Sequence, residues 1–189
     1  MVDYILIINL LFLMTETTTA LTLVVPKELH DAINSIRKTY DKAFPRWMPH
    51  INFLFPFVPE ERFNEIKTKL EPVLKSFGSF KVDLNEIGYF KQAKGMTVHI
   101  SPRDPTKLQA LFEVIRNTIP DVIPKRDGFH PHLTIAQFST ANFEEHYEDL
   151  RLWLRENDFE FTVDHICILQ RSKTDINVPF SVHSTIPLY

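Results

Sequence analysis

Two kinds of hydrophobic pattern alternate along this chain. Short β-branched or aromatic runs read as strands, and segments with apolar residues every three or four positions read as helices. Residues 20–25 form an apolar run closed by Pro26, a strand. Residues 27–40 carry Leu29, Ala32, Ile33 and Ile36 at helical spacing. Two prolines make 44–49 a loop, which delivers the chain into a strand over 50–57. Pro59 opens a second helix over 60–76, with Phe63, Ile66, Leu70 and Val73/Leu74 on one side. Residues 80–90 and 96–101 read as two adjacent strands joined by a turn at 91–95. A third helix spans 105–119, with Leu108, Leu111, Phe112 and Ile115 inward, and a polar loop at 120–128 precedes a strand at 132–138. A fourth helix over 142–156 and strands over 159–170 and 180–188 complete the order β-α-β-α-β-β-α-β-α-β-β.

This order predicts an α+β fold of two pseudo-symmetric lobes, with antiparallel sheets around a central cleft and helices on the outside. Residues 20–189 form a single bilobal domain, and residues 1–19 an N-terminal apolar extension. The run at 4–14 has signal-peptide length and is too short to span a membrane. It carries Asp3 and no preceding Lys or Arg, unlike a secretory leader, so the expected location is cytoplasmic or nuclear, with an N-terminal signal or anchor as the alternative.

With 44% hydrophobic residues and sixteen phenylalanines, the chain of 189 residues can build a sizeable core. A net charge of −3 excludes a strong nonspecific field for long nucleic acid, while leaving room for a nucleotide-sized or end-bound substrate. The single cysteine, Cys167, rules out an internal disulfide and a cysteine-rich zinc site, and its apolar surroundings in sequence mark it as buried and inert.

One phrase occurs twice, roughly eighty residues apart: Pro49-His50-Ile51-Asn52-Phe53-Leu54 and Pro131-His132-Leu133-Thr134-Ile135-Ala136. On a strand, His50 and Asn52 share one face, as do His132 and Thr134. Histidine, with an ordinary pKa near 6.5, takes or gives a proton near neutral pH. Cleavage of a phosphodiester requires one group to remove a proton from the attacking oxygen and another to protonate the leaving oxygen. Two histidines on opposite sides of a phosphorus atom meet this need without a metal, and Asn52 and Thr134 supply hydrogen bonds to the charged oxygens.

These two phrases resemble the paired histidine signatures of the 2H phosphoesterase superfamily, which includes 2′-5′ RNA ligase-like proteins and cyclic phosphodiesterases. The resemblance covers residues 20–188. It implies a metal-independent phosphodiesterase acting on 2′,3′-cyclic phosphates, related cyclic nucleotides or 2′-5′-linked oligonucleotides. His50 and His132 would be the paired acid and base, and Thr134 a phosphate-oxygen donor. Asn52 departs from the family pattern, where Thr or Ser is usual in the first motif. That departure keeps a second reading open, a noncatalytic nucleotide- or RNA-end-binding module of the same fold.

Arg46 and Trp47 before the first motif, and Lys125, Arg126 and Phe129 before the second, are further candidate substrate contacts. Tyr89 and His99 would join them if their strands line the groove. His130, His132 and His50 could imitate a three-histidine zinc site, but no carboxylate or helical histidine pair supports one, so neither metal nor cofactor is expected. The expected partner is a nucleotide or short RNA, not a long duplex or a membrane, and the chain is expected to act as a monomer.

Overall fold

A computed structural model describes residues 15–93, 95–124 and 128–189. Most of the apolar extension, and the candidate contacts Lys125 and Arg126, lie outside these described residues. Among the described residues there are nine strands and four α-helices: β1 (Thr19–Val24), α1 (His30–Tyr40), β2 (His50–Leu54), α2 (Phe63–Phe77), β3 (Phe80–Asp83), β4 (Glu86–Gln92), β5 (Gly95–Ser101), α3 (Thr106–Thr118), β6 (Leu133–Phe138), α4 (Phe143–Arg155), β7 (Glu160–Val163), β8 (His165–Gln170) and β9 (Ser181–Pro187). The first pairing contact is made by Glu16, which bridges to Phe57 ahead of β1.

The helices form where the apolar spacing places them. On α2, Phe63, Ile66, Leu70 and Leu74 are buried at intervals of three and four residues. Gly78, at φ 80°, ends this helix in a conformation that other residues adopt at a cost. On α3 the inward residues are Leu108, Leu111, Phe112 and Ile115, as their spacing predicts. A single 3₁₀ turn leads into each of α1, α2 and α4.

Three antiparallel sheets carry the strands, in the orders β2-β1-β8-β9, β4-β5-β6 and β3-β7. Here the structure corrects two expectations. The predicted strands at 80–90 and 159–170 are each split, at Leu84–Asn85 and at Asp164. Their first halves pair with each other, from Phe80↔Val163 to Asp83↔Glu160, while their second halves enter different sheets. A hydrophobic alternation that runs through the break carries no information about which strand it meets. Asn85 secures the crossing. Its Nδ2 donates to Asp158 Oδ1 at 3.0 Å, and its Oδ1 accepts from Phe159 N at 3.3 Å.

The short β3–β7 ladder therefore couples two lobes, and α1 couples them again. This helix follows β1 of the first lobe but packs on β6 of the second, with Tyr40 and Phe138 rings 5.2 Å apart. One continuous core contains Leu21, Leu23 and Ile51 of the first lobe together with Val98, Ile100 and Leu133 of the second. Each fully buried large apolar side chain contributes roughly 1.5–3 kcal/mol, against about 0–1 kcal/mol for an exposed ion pair, so the shared core dominates stability. Among the described residues, no helix is long and apolar enough to cross a membrane.

Candidate active site

The two motif strands occupy equivalent places in their lobes. β2 is the edge of the four-stranded sheet and β6 the edge of the three-stranded sheet. Each carries a bulge one residue after its polar partner position. On β2 the ladder reads Thr22↔Asn52 and then Leu21↔Leu54, skipping Phe53. On β6 it reads His99↔Thr134 and then Val98↔Ala136, skipping Ile135. A bulge bends the strand and re-aims the side chains beyond it. The repeat is thus a repeat of backbone as well as of sequence.

Each histidine is held in the same way. His50 Nδ1 donates to the carbonyl of Met48, two residues back, at 2.7 Å, and His132 Nδ1 donates to the carbonyl of His130 at 2.6 Å. This bond fixes the orientation of each ring. In the first lobe Asn52 Nδ2 donates to His50 Nε2 at 3.0 Å, so His50 is neutral with its proton on Nδ1. Burial pushes its pKa down to about 4, opposed by the Met48 carbonyl and assisted by the nearby Arg37 and His132.

The indole of Trp47 covers His50, stacked at 4.5 Å and 15°, and stacks in turn on Phe180 at 3.7 Å. The loop that carries Trp47 is anchored by buried Arg37. Its Nη2 donates to the Trp47 carbonyl at 2.9 Å, and its Nε to Asp41 Oδ2 at 2.8 Å. The other oxygen of Asp41 accepts from Ala43 N at 2.9 Å and from Gln137 Nε2 of β6 at 3.4 Å. The Arg37–Asp41 pair therefore ties the His50 loop to the strand of the opposite lobe.

His132 has different neighbours. Phe90 meets its edge at 4.9 Å and His99 at 5.3 Å, and Phe90 stacks on His99 at 4.4 Å. His99 is only 8% exposed, and its pKa is pushed down to about 4, first by burial and then by the nearness of His132. Gly88, its partner across the ladder, makes this packing possible. A Cβ there would lie 2.9 Å from His99 Nε2.

Residues of both motifs line one cleft of about 380 Å³. Its walls include Asn52, Phe53 and Phe55 from the first motif and its exit, and Phe129, His130 and His132 from the second, with Phe90 and Phe112 between. Phe129 lies in a ring stack, 5.5 Å from Phe53 and 4.5 Å from Phe112. A neighbouring cavity of about 220 Å³ shares Phe90, His130 and His132 and adds His99, Ser101 and Gln109.

The sequence-predicted residues thus separate. Asn52 and Thr134 occupy matched rungs, His50 opens β2 and His132 stands one residue before β6. Asn52, His132 and Phe129 lie on the cleft wall, and His50 and Thr134 are not among its residues. Trp47 faces His50 itself. Arg46 donates to the Lys42 carbonyl at 3.2 Å and is not among the residues of the cleft wall. Tyr89, 47% exposed, pairs with Val98 on the opposite face of β4 and packs against Phe143 and Tyr147 of α4, so it is not brought to the site. Among the described residues, no group of three or more His, Cys, Asp or Glu is arranged to hold a metal ion.

Sequence reasoning missed Arg37, Asp41, Thr22, Gly88, Phe90 and Phe112. An Arg and an Asp four positions apart around a helix end normally form a solvated pair. Nothing local marks this one as buried. Gly88 was the one legible signal, since an isolated glycine inside a strand indicates a close approach.

Comparison with known proteins agrees with this arrangement. Residues 25–175 match the family model of the 2′-5′ RNA ligase superfamily. A protein of Bacillus cytotoxicus, named as a candidate phosphoesterase, is 28% identical over 165 residues, covering 86% of this chain and 91% of its own. A similarly named protein of Staphylococcus haemolyticus is 28% identical over 131 residues, covering 69% of this chain and 75% of its own. The crystal structure of Escherichia coli LigT complexed with 3′-AMP has the same fold, with a TM-score of 0.62 at 14% identity over 91% of this chain and 98% of that one. A crystal structure described as a phosphoesterase superposes with a TM-score of 0.63 at 15% identity over 92% of this chain and 99% of that one. With the family model spanning most of the chain and the fold shared over 91–92% of it, the protein belongs to the 2′-5′ RNA ligase superfamily, the 2H phosphoesterases.

Proposed function

We propose that this protein is a metal-independent phosphodiesterase whose substrate is a nucleoside 2′,3′-cyclic phosphate, a related cyclic nucleotide or a 2′-5′-linked oligonucleotide. The observation that carries this reading is the matched anchoring of two histidines, each through Nδ1 to a carbonyl two residues back, one at the start of edge strand β2 and one immediately before edge strand β6. In the hydrolytic direction His50, neutral because burial lowers its pKa to about 4, takes the proton of the attacking water at Nε2. His132 gives a proton to the leaving oxygen. The Thr134 hydroxyl and the second N–H of the Asn52 amide stabilise the non-bridging oxygens. The phenylalanine-lined cleft fits a nucleobase, which stacks on aromatic faces regardless of sequence. The 3′-AMP bound by the similar LigT structure supports a ligand of this class.

Turnover of 2′,3′-cyclic nucleotides and 2′-5′ oligoadenylate in excess EDTA tests the mechanism. His50→Ala and His132→Ala are each expected to lose about 10²–10⁴-fold in kcat, the usual worth of a general acid or base. Hydrolysis that survives both substitutions would sink the two-histidine mechanism. Activity lost in EDTA would overturn metal independence, and tight binding without turnover would establish a binding module instead.

A further inference from the structure

His132 stands between two cavities of unlike chemistry. The cleft of about 380 Å³ and its neighbour of about 220 Å³ share Phe90, His130 and His132, so these three side chains form the divide. On the larger side the walls are mainly aromatic, with Phe53, Phe55, Phe112 and Phe129. On the smaller side they are His99, Ser101 and Gln109, framed by Pro102, Pro105 and Pro131. Pockets that hold a whole small ligand run to about 300–1,000 Å³. The cleft falls within that range and the smaller cavity below it, so the smaller cavity takes one part of a ligand.

That part is polar and uncharged. The Ser101 hydroxyl and the Gln109 amide can each donate and accept. Ser101 closes β5, and Gln109 lies on the first turn of α3, whose backbone is pinned at both ends. Gln109 N donates to the Pro105 carbonyl at 2.9 Å, and Asp104 Oδ1 accepts from Thr106 N at 3.0 Å. The three prolines hold the rim at fixed φ, so little has to be ordered on binding. Among the described residues, the wall contains no Lys, Arg, Asp or Glu. The cations nearest in sequence are engaged elsewhere. Arg103 meets Asp83 at 3.6 Å and Glu86 at 3.5 Å, and Lys107 lies 5.9 Å over the Phe77 ring. His99 is neutral at pH 7, because burial lowers its pKa to about 4. A phosphate here would lose its water without gaining a counter-charge, whereas the hydroxyls of a sugar would find partners.

We propose that the smaller cavity is the subsite for the ribose of the departing nucleoside, and that Ser101 and Gln109 favour a 2′-5′-linked oligonucleotide over a 2′,3′-cyclic mononucleotide. This rests on the proposed function, in which His132 protonates the leaving oxygen. In a cyclic phosphate that oxygen stays on the ribose whose base occupies the cleft, so one cavity suffices. In a linear diester it belongs to a second nucleoside, which must lie on the leaving side of His132. The first nucleoside stacks in the aromatic cleft, the phosphorus lies at the divide, and the second ribose enters the polar cavity. Its base extends past the exposed Gln109.

The test compares kcat/KM of the full chain for adenylyl-(2′-5′)-adenosine with that for adenosine 2′,3′-cyclic phosphate. Gln109→Leu and Ser101→Ala should each lower the dinucleotide-to-cyclic ratio about threefold to tenfold, the worth of one hydrogen bond, with the change in the dinucleotide KM. Gln109→Trp, which fills the cavity from an exposed helical position, should lower the ratio further. A ratio that stays at the wild-type value in both Gln109 variants, or an equal loss on the two substrates, would overturn the subsite. If Ser101→Ala unfolds, the Gln109 variants still decide it. A wild-type protein that turns over neither substrate would refute the proposed function, and nitrogen-15 NMR then reads the subsite separately. The Gln109 side-chain amide should shift with the dinucleotide and stay in place with the cyclic nucleotide; the same response to both would overturn the subsite.

Discussion

Arg37 and Asp41 show how much a single buried pair can govern. Arg37 is 2% exposed and spends its donors on Asp41, Asn34 and the Trp47 carbonyl, so the loop carrying the Met48 acceptor of His50 depends on it. Removing one partner of such a pair leaves a buried charge uncompensated, at about 3–5 kcal/mol. Asp41→Ala is therefore expected to lower Tm by roughly 10 °C, since each kcal/mol is worth about 2–4 °C in a chain of this size. The double substitution Arg37→Met with Asp41→Leu should recover most of that loss in thermal unfolding, because burying two apolar side chains carries no desolvated charge. Activity is not expected to return with it, as nothing then holds the Trp47 carbonyl. At this scale the sequence was partly legible. The histidines, Asn52 and Thr134 declare themselves by repetition, whereas Arg37 reads as an ordinary surface arginine until α1 is packed against β6.

Among the elements, β4 and β5 illustrate how a rung of a sheet shapes the surroundings of His132. Gly88 faces His99, Phe90 covers the His99 ring, and both rings meet His132. A methyl group at position 88 would meet the imidazole at 2.9 Å and drive it from its place. Gly88→Ala should thus cost about 1–3 kcal/mol of stability, typical of overpacking, and lower kcat by displacing His132. Equilibrium unfolding and steady-state kinetics check the two effects. If kcat is unchanged while stability falls, His132 does not depend on this rung. Alternation identifies the motif segments as strands, yet it does not reveal their bulges. A bulge adds one residue to one strand of a pair, and only the pairing partner reveals it.

At the scale of the molecule, His50 and His99 have folded-state pKa values pushed down to about 4, against an ordinary value of 6.5. Between these limits the unfolded chain binds more protons than the folded one, so stability rises with pH across this window and is lost as pH falls from about 6.5 towards 4. His50 and His99 each contribute a loss on the order of 2–3 kcal/mol at the bottom of the window. Urea unfolding at pH 7 and pH 4.5 should show the decline, and His99→Phe should flatten part of it; an equal decline in that variant would remove His99 from the account. The alternation of strand and helix segments, the inward faces of the helices and the repetition of the Pro-His phrase were legible in the sequence itself, because hydrophobic period and residue identity are local properties. Only the tertiary structure decided that the two long apolar runs switch sheets at Asn85 and Asp164, that α1 crosses to the other lobe, and that Trp47 covers His50 while Tyr89 faces α4. Those outcomes depend on which distant segments pair, and a strand pattern of period two is compatible with many partners until the shared core selects one.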